Sequence, residues 1–129
     1  MAGPIVHYEV PANDVSALKK FYGDVFGWKF KKAPIPGMEY WLIDMGSKHI
    51  GGGMYKKEAN SMPINYVDVN SVDAAIVAFK KAGGKIVVGK QEVPGQGWTA
   101  IGIDPEGNGV GIWQSMQRQQ RAKPKAKKK

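Results

Sequence analysis

Two side chains that can exchange protons lie two residues apart near the start of the chain. His7 and Glu9 flank Tyr8 within the segment Ile5–Val10, which is rich in strand-forming residues. Side chains two apart in a strand point to the same face, so the imidazole and the carboxylate could serve together as base and acid. The alternative is a structural histidine beside a Glu9 that pairs with a lysine at the rim. His7 and Glu9 are therefore the candidate catalytic residues.

Tryptophans near glycine-rich segments form a second group of candidates, because large aromatic rings can hold a flat or cationic ligand by stacking. These residues are Trp41, Trp98 and Trp113, and the alternative role for each of them is core packing. The run Gly51–Gly53 lacks the lysine and hydroxyl residue of a phosphate loop and does not open a helix. The chain has no cysteine, which excludes thiol nucleophiles and thiolate metal sites.

The elements that position these residues occur twice. Residues 5–55 align without a gap to residues 62–112 at a constant offset of 57. Seven pairs are identical: Val10/Val67, Asn13/Asn70, Val15/Val72, Ala17/Ala74, Gly27/Gly84, Trp41/Trp98 and Gly52/Gly109. Two copies are too few for a solenoid, so the repeat indicates one domain built from two similar modules.

Each module has the order βαβββ. In the first, Asn13 or Asp14 caps a helix that Gly27 ends, and in the second Ser71 caps a helix closed by Gly83-Gly84. The predicted strands of the first module are Ile5–Val10, Trp28–Lys31, Glu39–Asp44 and His49–Tyr55. Those of the second module are Ile64–Val69, Lys85–Val88, Trp98–Ile103 and Val110–Trp113, the last two joined by a turn at 104–108.

The predicted fold class is therefore α+β, with two tandem βαβββ modules whose curved sheets enclose a cleft, the usual place for a ligand. Residues 1–115 form the single domain, with modules at about 5–55 and 62–114. Residues 116–129 form a basic tail with no large apolar side chain after Met116, and we expect it to be disordered. Seven Lys and Arg lie in residues 115–129, so the net charge of +8 leaves the rest of the chain close to neutral.

The chain shows no signal peptide and no apolar run of membrane-spanning length, which predicts a cytoplasmic protein without membrane contact. The basic tail is consistent with weak, nonspecific contact with nucleic acid. A solvated solubility tail is the alternative that we favour.

The paired modules resemble the vicinal-oxygen-chelate superfamily, which includes glyoxalase I, extradiol dioxygenases and bleomycin-resistance proteins. The resemblance covers residues 5–114 and is strong for fold and weak for activity. Its matching strings are His7 through Asp14, Phe21-Tyr22, Val25-Phe26-Gly27-Trp28, Tyr66-Val67-Asp68-Val69, Ala82-Gly83-Gly84 and Asp104-Pro105-Glu106-Gly107-Asn108.

Metal enzymes of that superfamily have ligands on the first and last strand of each module. The resemblance places His7 and Gly111 at two of these positions, and the offset of 57 adds Ile64 and Met54. A set of histidine, methionine, isoleucine and glycine does not suit zinc or nickel. We therefore expect no metal and no other cofactor.

The leading hypothesis is a protein that binds an organic small molecule in an aromatic-lined cleft without metal. One alternative is a glyoxalase-type lyase or dioxygenase-related metalloenzyme with displaced ligands, and another is a nucleic-acid-associated protein acting through the tail. Whether the protein is an enzyme stays open; if it is one, the resemblance implies a lyase or isomerase. The resemblance also leads us to expect a homodimer. The candidate ligand-binding residues are His7, Trp41, Met54, Ile64, Tyr66, Trp98, Gly111 and Trp113.

Overall fold

The computed structural model describes residues 3–116 of the 129-residue chain and has the α+β fold that the sequence predicts. The described residues divide into two compact units. The N-terminal unit comprises residues 6–65, and the C-terminal unit comprises residues 3–5 together with 66–116. Except for Met116, the predicted tail lies outside the described residues. Between residues 3 and 116 there is no helix long and apolar enough to span a bilayer.

The N-terminal unit contains the first βαβββ module. Its strands follow the order β2-β3-β4-β1, in which β1 and β4 are parallel and the other neighbours are antiparallel. Glu9 on β1 lies opposite Gly53 on β4. The elements are β1 (Ile5–Ala12), α1 (Val15–Phe26), β2 (Lys29–Lys32), β3 (Tyr40–Asp44) and β4 (Gly52–Lys56).

The C-terminal unit contains the second module, with strand order β5-β8-β7-β6 and antiparallel pairing of β6 with β7 and of β7 with β8. The boundary between the units falls within β5. The segment 3–5 runs beside this strand, where the backbone N–H of Asp68 donates to the carbonyl oxygen of Pro4 at 2.9 Å. The elements are β5 (Ile64–Asp68), α2 (Val72–Lys81), β6 (Lys85–Val93), β7 (Gly97–Ile103) and β8 (Gly109–Ser115).

Both helices begin at the predicted caps. The Asp14 side chain accepts a hydrogen bond from the backbone N–H of Ala17 at 3.0 Å, and the Ser71 hydroxyl accepts one from Ala74 at 3.1 Å. Each cap satisfies a helical N–H that has no partner within the helix. Gly27 ends α1 at φ +71°, a left-handed conformation that favours glycine.

Each helix covers one face of the sheet in its own unit. In the N-terminal unit, Leu18 and Tyr22 of α1 pack onto a core that contains Met54. In the C-terminal unit, Ile76 and Phe79 of α2 pack onto a core that contains Ile112. Burial of these apolar side chains, at about 25 cal/mol per Å² removed from water, holds each helix on its sheet.

Some strand ends differ from their predicted positions. β1 continues past Pro11 to Ala12, because the carbonyl oxygen of Ala12 still accepts a hydrogen bond from the N–H of Lys57 at 2.8 Å; proline removes only a donor from the ladder. β6 runs to Val93 instead of Val88, and two irregularities in its pairing with β7 accommodate the extra residues.

The constant offset of 57 fails at the last strand of the modules. Met54 faces α1, whereas Gly111, its counterpart at that offset, is adjacent to Ile112, which faces α2. Neighbouring strand residues point to opposite faces, so Met54 and Gly111 do not correspond. Glu9 lies opposite Gly53, and the ring of Tyr66, the counterpart of Glu9, lies against Gly111. The true equivalent of Gly111 is therefore Gly53, at an offset of 58.

Candidate functional site

In the N-terminal unit, α1 covers one face of the sheet. The opposite face carries polar side chains that are buried or half-buried. We call it the helix-free face. Because Trp41 and Met54 pack toward α1, strand alternation places their neighbours on the opposite side. The residues of the helix-free face are His7 and Glu9 of β1, Tyr40 and Leu42 of β3, and Tyr55 of β4.

A chain of hydrogen bonds joins three of these residues. The Tyr40 hydroxyl donates to Oε2 of Glu9 at 2.8 Å, and Nε2 of His7 lies 2.8 Å from the same hydroxyl oxygen. Tyr40 is buried, and His7 and Glu9 are half-buried. Such a chain satisfies three polar side chains at once, which is the condition for keeping them out of water without a large penalty.

Gly53 makes this arrangement possible. Tyr40 belongs to β3 and its partners to β1, with β4 between them, so the tyrosine side chain must lie across β4. A Cβ atom at position 53 would overlap the Tyr40 ring. Gly53 thus provides the space through which the hydroxyl reaches His7 and Glu9.

Three rings form a row across the helix-free face. The centroids of His7 and Tyr40 are 6.5 Å apart with an interplanar angle of 12°, and those of Tyr40 and Tyr55 are 6.5 Å apart with an angle of 9°. The middle ring of this row, that of Tyr40, is buried.

Burial lowers the pKa of the His7 imidazole below its ordinary value of 6.5, because the charged form loses hydration. The side chain is therefore neutral at physiological pH. A neutral imidazole has one nitrogen that donates and one that accepts a proton, so His7 can act as a base.

A groove of about 270 Å³ adjoins this set of residues. His7 stands at one side of it, and the side chains of Lys31, Leu42 and Asp44 contribute a cation, an apolar contact and an anion. The full lining is Val6, His7, Lys31, Leu42, Ile43, Asp44, Gly51 and Gly52.

Two predicted ligand-binding residues of the N-terminal unit, Met54 and Trp41, lie on the face that α1 covers. Met54 has 0% exposure and packs in the core beneath α1. Trp41 packs against the same core, and the ammonium of Lys19 lies 3.2 Å from the centroid of its ring. The position of Met54 came from the gapless offset, which assigns β4 to the wrong face.

The C-terminal unit divides its predicted residues in the same way. Trp98 is partly buried and packs against the core with α2. Strand alternation places Ile64, Tyr66, Gly111 and Trp113 on the face away from α2. Ile64 and Tyr66 are buried, the ring of Tyr66 lies against Gly111, and the ring of Trp113 lies against Gly97. Their proposed role in ligand binding is not tested by this placement.

Sequence reasoning missed Tyr40, which makes the hydrogen bonds to both candidate catalytic residues. One signal could have indicated it: if Trp41 is a core residue, then its neighbour Tyr40 must point to the same face as His7. The other clue is the small residue Gly53 between the two strands.

The family model of the Glyoxalase/Bleomycin resistance protein/Dioxygenase superfamily matches residues 4–112 of the chain. The chain belongs to this superfamily. Its α+β fold and βαβββ modules are those that the sequence resemblance implied.

Relatives and solved structures agree with this membership. CFP32 of Mycobacterium bovis, provisionally named a glyoxylase, is 28% identical over 114 residues, which are 83% of this chain but 44% of CFP32. The chain thus spans less than half the length of this curated relative. A glyoxylase-like domain-containing protein of Didymella fabae is 31% identical over 90 residues, 64% of this chain and 70% of that protein. The structure of hypothetical protein BH1468 from Bacillus halodurans has a TM-score of 0.68 at 11% identity, covering 89% of this chain and 96% of that one, which shows a common fold.

The side chains of this superfamily member do not fit a resident divalent metal ion. His7 and Glu9 are both hydrogen-bonded to Tyr40. Of the other expected ligand positions, Ile64 and Gly111 have no donor atoms in their side chains, and the thioether of Met54 is buried in the core beneath α1. No three His, Cys, Asp or Glu side chains between residues 3 and 116 come together as a metal site. Zinc and related ions require three or four such ligands.

Proposed function

We propose that the helix-free face of the N-terminal unit binds a small organic molecule through its own side chains, without a resident metal. The observation that carries this proposal is the hydrogen-bonded set Glu9–Tyr40–His7 at the side of an open groove. Convergent polar groups beside an apolar concavity are typical of ligand sites.

The groove sets the class of ligand. Its volume of about 270 Å³ is just below the usual range of about 300–1,000 Å³ for ligand sites, so the ligand is small. Leu42 and the His7 ring offer apolar contact, while the exposed ammonium of Lys31 favours a ligand with an anionic or acceptor group. Small aromatic carboxylates and phenols combine these features.

The described residues give no comparable support to the two alternatives, a metalloenzyme with displaced ligands and a nucleic-acid-associated protein. A metalloenzyme with displaced ligands would need donor side chains that the described residues do not bring together. The glyoxylase names of CFP32 and of the Didymella protein therefore supply a family context and not a metal-dependent reaction for this chain. The nucleic-acid hypothesis depends on residues 117–129, which lie outside the described residues. Deleting them should abolish any salt-sensitive binding to nucleic acid.

Binding is tested by amide chemical-shift perturbation of the full chain with a set of phenols and aromatic carboxylates. We expect the shifted signals to map to β1, β3 and β4. Leu42→Glu should weaken binding by about tenfold, because it adds a charge to an apolar wall. Val77→Glu is the matched control, since Val77 is an exposed apolar residue of α2 in the C-terminal unit. Perturbations confined to the C-terminal unit, or equal effects of the two variants, would disprove the proposed site.

Two further expectations from the sequence belong with this proposal. A homodimer of the 14.1 kDa chain would sediment at about twice that mass, and a monomer at micromolar concentration would contradict it. A cytoplasmic location is proposed from the sequence and is tested by fractionation of the source cells.

A further inference from the structure

Two opposite charges border the groove of the helix-free face and do not neutralise each other. The ammonium of Lys31 and the carboxylate of Asp44 both line this groove, and both side chains are exposed. Within residues 3–116, neither side chain takes part in an ion pair. Oδ1 of Asp44 accepts a hydrogen bond from the backbone N–H of Gly46 at 2.9 Å, which leaves Oδ2 for a ligand.

The pairing of β2 with β3 sets the spacing of these charges. Lys31 lies opposite Leu42, and Asp44 lies two residues further along β3, so strand alternation places all three side chains on one face. Diagonal neighbours in an antiparallel strand pair lie about 7–8 Å apart. The groove therefore offers a cation and an anion at this spacing, with the apolar side chain of Leu42 beside both.

We propose that Lys31 and Asp44 select for ligands that carry both a carboxylate and an ammonium on a single apolar ring. The ligand carboxylate pairs with Lys31, the ligand ammonium pairs with Asp44, and the ring lies against Leu42. Two charged groups at opposite ends of one benzene ring have a separation close to that of the two side chains. The inference rests on the proposed function, to which it adds a positive charge on the ligand.

The charges around the groove distinguish this selection from a simple attraction of anions. A ligand with a carboxylate alone is attracted by Lys31 and repelled by Asp44, and a ligand with an ammonium alone meets the reverse. Only a ligand with both charges gains at both ends, and charge complementarity of this kind acts mainly on specificity. Lys29 lies directly opposite Asp44 in the strand pair but is not part of the groove lining.

Four probes built on one para-substituted ring isolate the two charges. The probe 4-(aminomethyl)benzoate carries both, 4-methylbenzoate and 4-methylbenzylamine carry one each, and 4-methylbenzyl alcohol carries none. Titration of the ¹⁵N-labelled full chain gives a Kd for each probe from its amide chemical shifts. We expect the probe with both charges to bind most tightly, with each charge improving the Kd by up to about fivefold, because exposed ion pairs contribute little.

Charge-neutral variants assign each end of the ligand. Lys31→Gln should remove the preference for a carboxylate and keep the preference for an ammonium. Asp44→Asn should do the reverse, and its side-chain oxygen can still accept the hydrogen bond from Gly46. Lys29→Gln and Glu58→Gln are the matched controls, because both residues are exposed members of the N-terminal unit outside the groove. Neither control should remove a preference.

The outcomes separate this inference from the proposed function. If 4-(aminomethyl)benzoate binds no more tightly than 4-methylbenzoate, selection by Lys31 and Asp44 is overturned while the proposed site stands. The same holds if Lys29→Gln removes the preference for a carboxylate as fully as Lys31→Gln does. If the four probes and the phenols all leave the amide signals of β1, β3 and β4 unchanged, the proposed function fails as well.

Discussion

The two units use the same order of elements and present different chemistry on the faces away from their helices. In the N-terminal unit, Tyr40 crosses Gly53 to reach an imidazole and a carboxylate. In the C-terminal unit, the rings of Tyr66 and Trp113 lie against glycines of their own sheet. The helix-side cores are alike by contrast, with Trp41 and Trp98 in equivalent places. In this chain, the packing of the helix-side core is shared by the two modules, and the hydrogen-bonded set His7, Tyr40 and Glu9 belongs to the N-terminal copy.

The largest change in the free energy of unfolding should come from the helix-side cores that the two modules share. Trp41→Ala and Trp98→Ala should each destabilise the fold by about 3 kcal/mol, the lower end of the range for large aromatic residues in a core, because both rings are partly exposed. Urea unfolding measures this change, and Val87→Ala, at a residue 58% exposed, serves as the control with little effect. A variant that keeps its stability but loses ligand binding would instead support the predicted ligand-binding role of that tryptophan.

A smaller loss of stability should come from alanine at the glycines that lie against tyrosine rings, and the two modules should differ in what else it changes. Gly53→Ala and Gly111→Ala both place a methyl group against a tyrosine ring, and overpacking of this kind costs about 1–3 kcal/mol. Only Gly53→Ala should also alter the His7 ring signals, because it displaces Tyr40. Gly89→Ala meets open space and should be almost neutral in both measurements. The comparison fails if Gly111→Ala perturbs His7 as strongly as Gly53→Ala does.

A pH effect should be specific to the N-terminal unit. The pKa of His7 is lowered in the folded protein by burial, so the unfolded chain binds more protons just below pH 6.5, and stability rises with pH there. This contribution is complete above pH 6.5 and is lost as the pH falls through the folded pKa. Urea midpoints measured across this range should show the dependence in the wild-type and His49→Gln proteins and lose it in His7→Gln. An unchanged slope in His7→Gln would assign the effect to other groups.

The smallest change in stability should come from Asp104 of the C-terminal unit, at a lower pH than the change due to His7. Hydrogen bonds from the backbone and side chain of Asn108 lower the pKa of Asp104 below 3.8. Stability from this carboxylate is therefore present above pH 3.8 and is lost as the pH falls through its folded pKa. Asp104→Asn should flatten that acid limb slightly without changing the range near pH 6. Since the carboxylate is exposed, a large change in the midpoint would contradict this view.

Local signals in the sequence were sufficient for the fold. The caps Asp14 and Ser71 and the terminator Gly27 each act within a few residues, so propensity and spacing define both helices. The strings that carry the resemblance to the superfamily, such as Ala82-Gly83-Gly84, are equally short.

The candidate site was predictable only in part, because its contacts span long stretches of the chain. His7 and Glu9 share a strand and could be paired by alternation, but Tyr40 reaches them across 31 to 33 residues. The offset of 57 failed at Met54 because a change of one residue in register reverses the face of a strand. The sequence left both roles open for Trp41 and Trp98, ligand binding and core packing, because no neighbouring residue showed which face of the strand they occupy.

The pairing of Pro4 with Asp68 also has a consequence for how the chain acquires its structure. The N–H of Asp68 takes its partner from a segment made more than sixty residues earlier, a contact of high sequence separation that slows folding. During synthesis, the C-terminal unit can therefore be completed only with residues that leave the ribosome first. A cut between residues 65 and 66 would give a C-terminal fragment that lacks part of its own unit, so we expect the two halves to fold better when expressed together than when expressed apart.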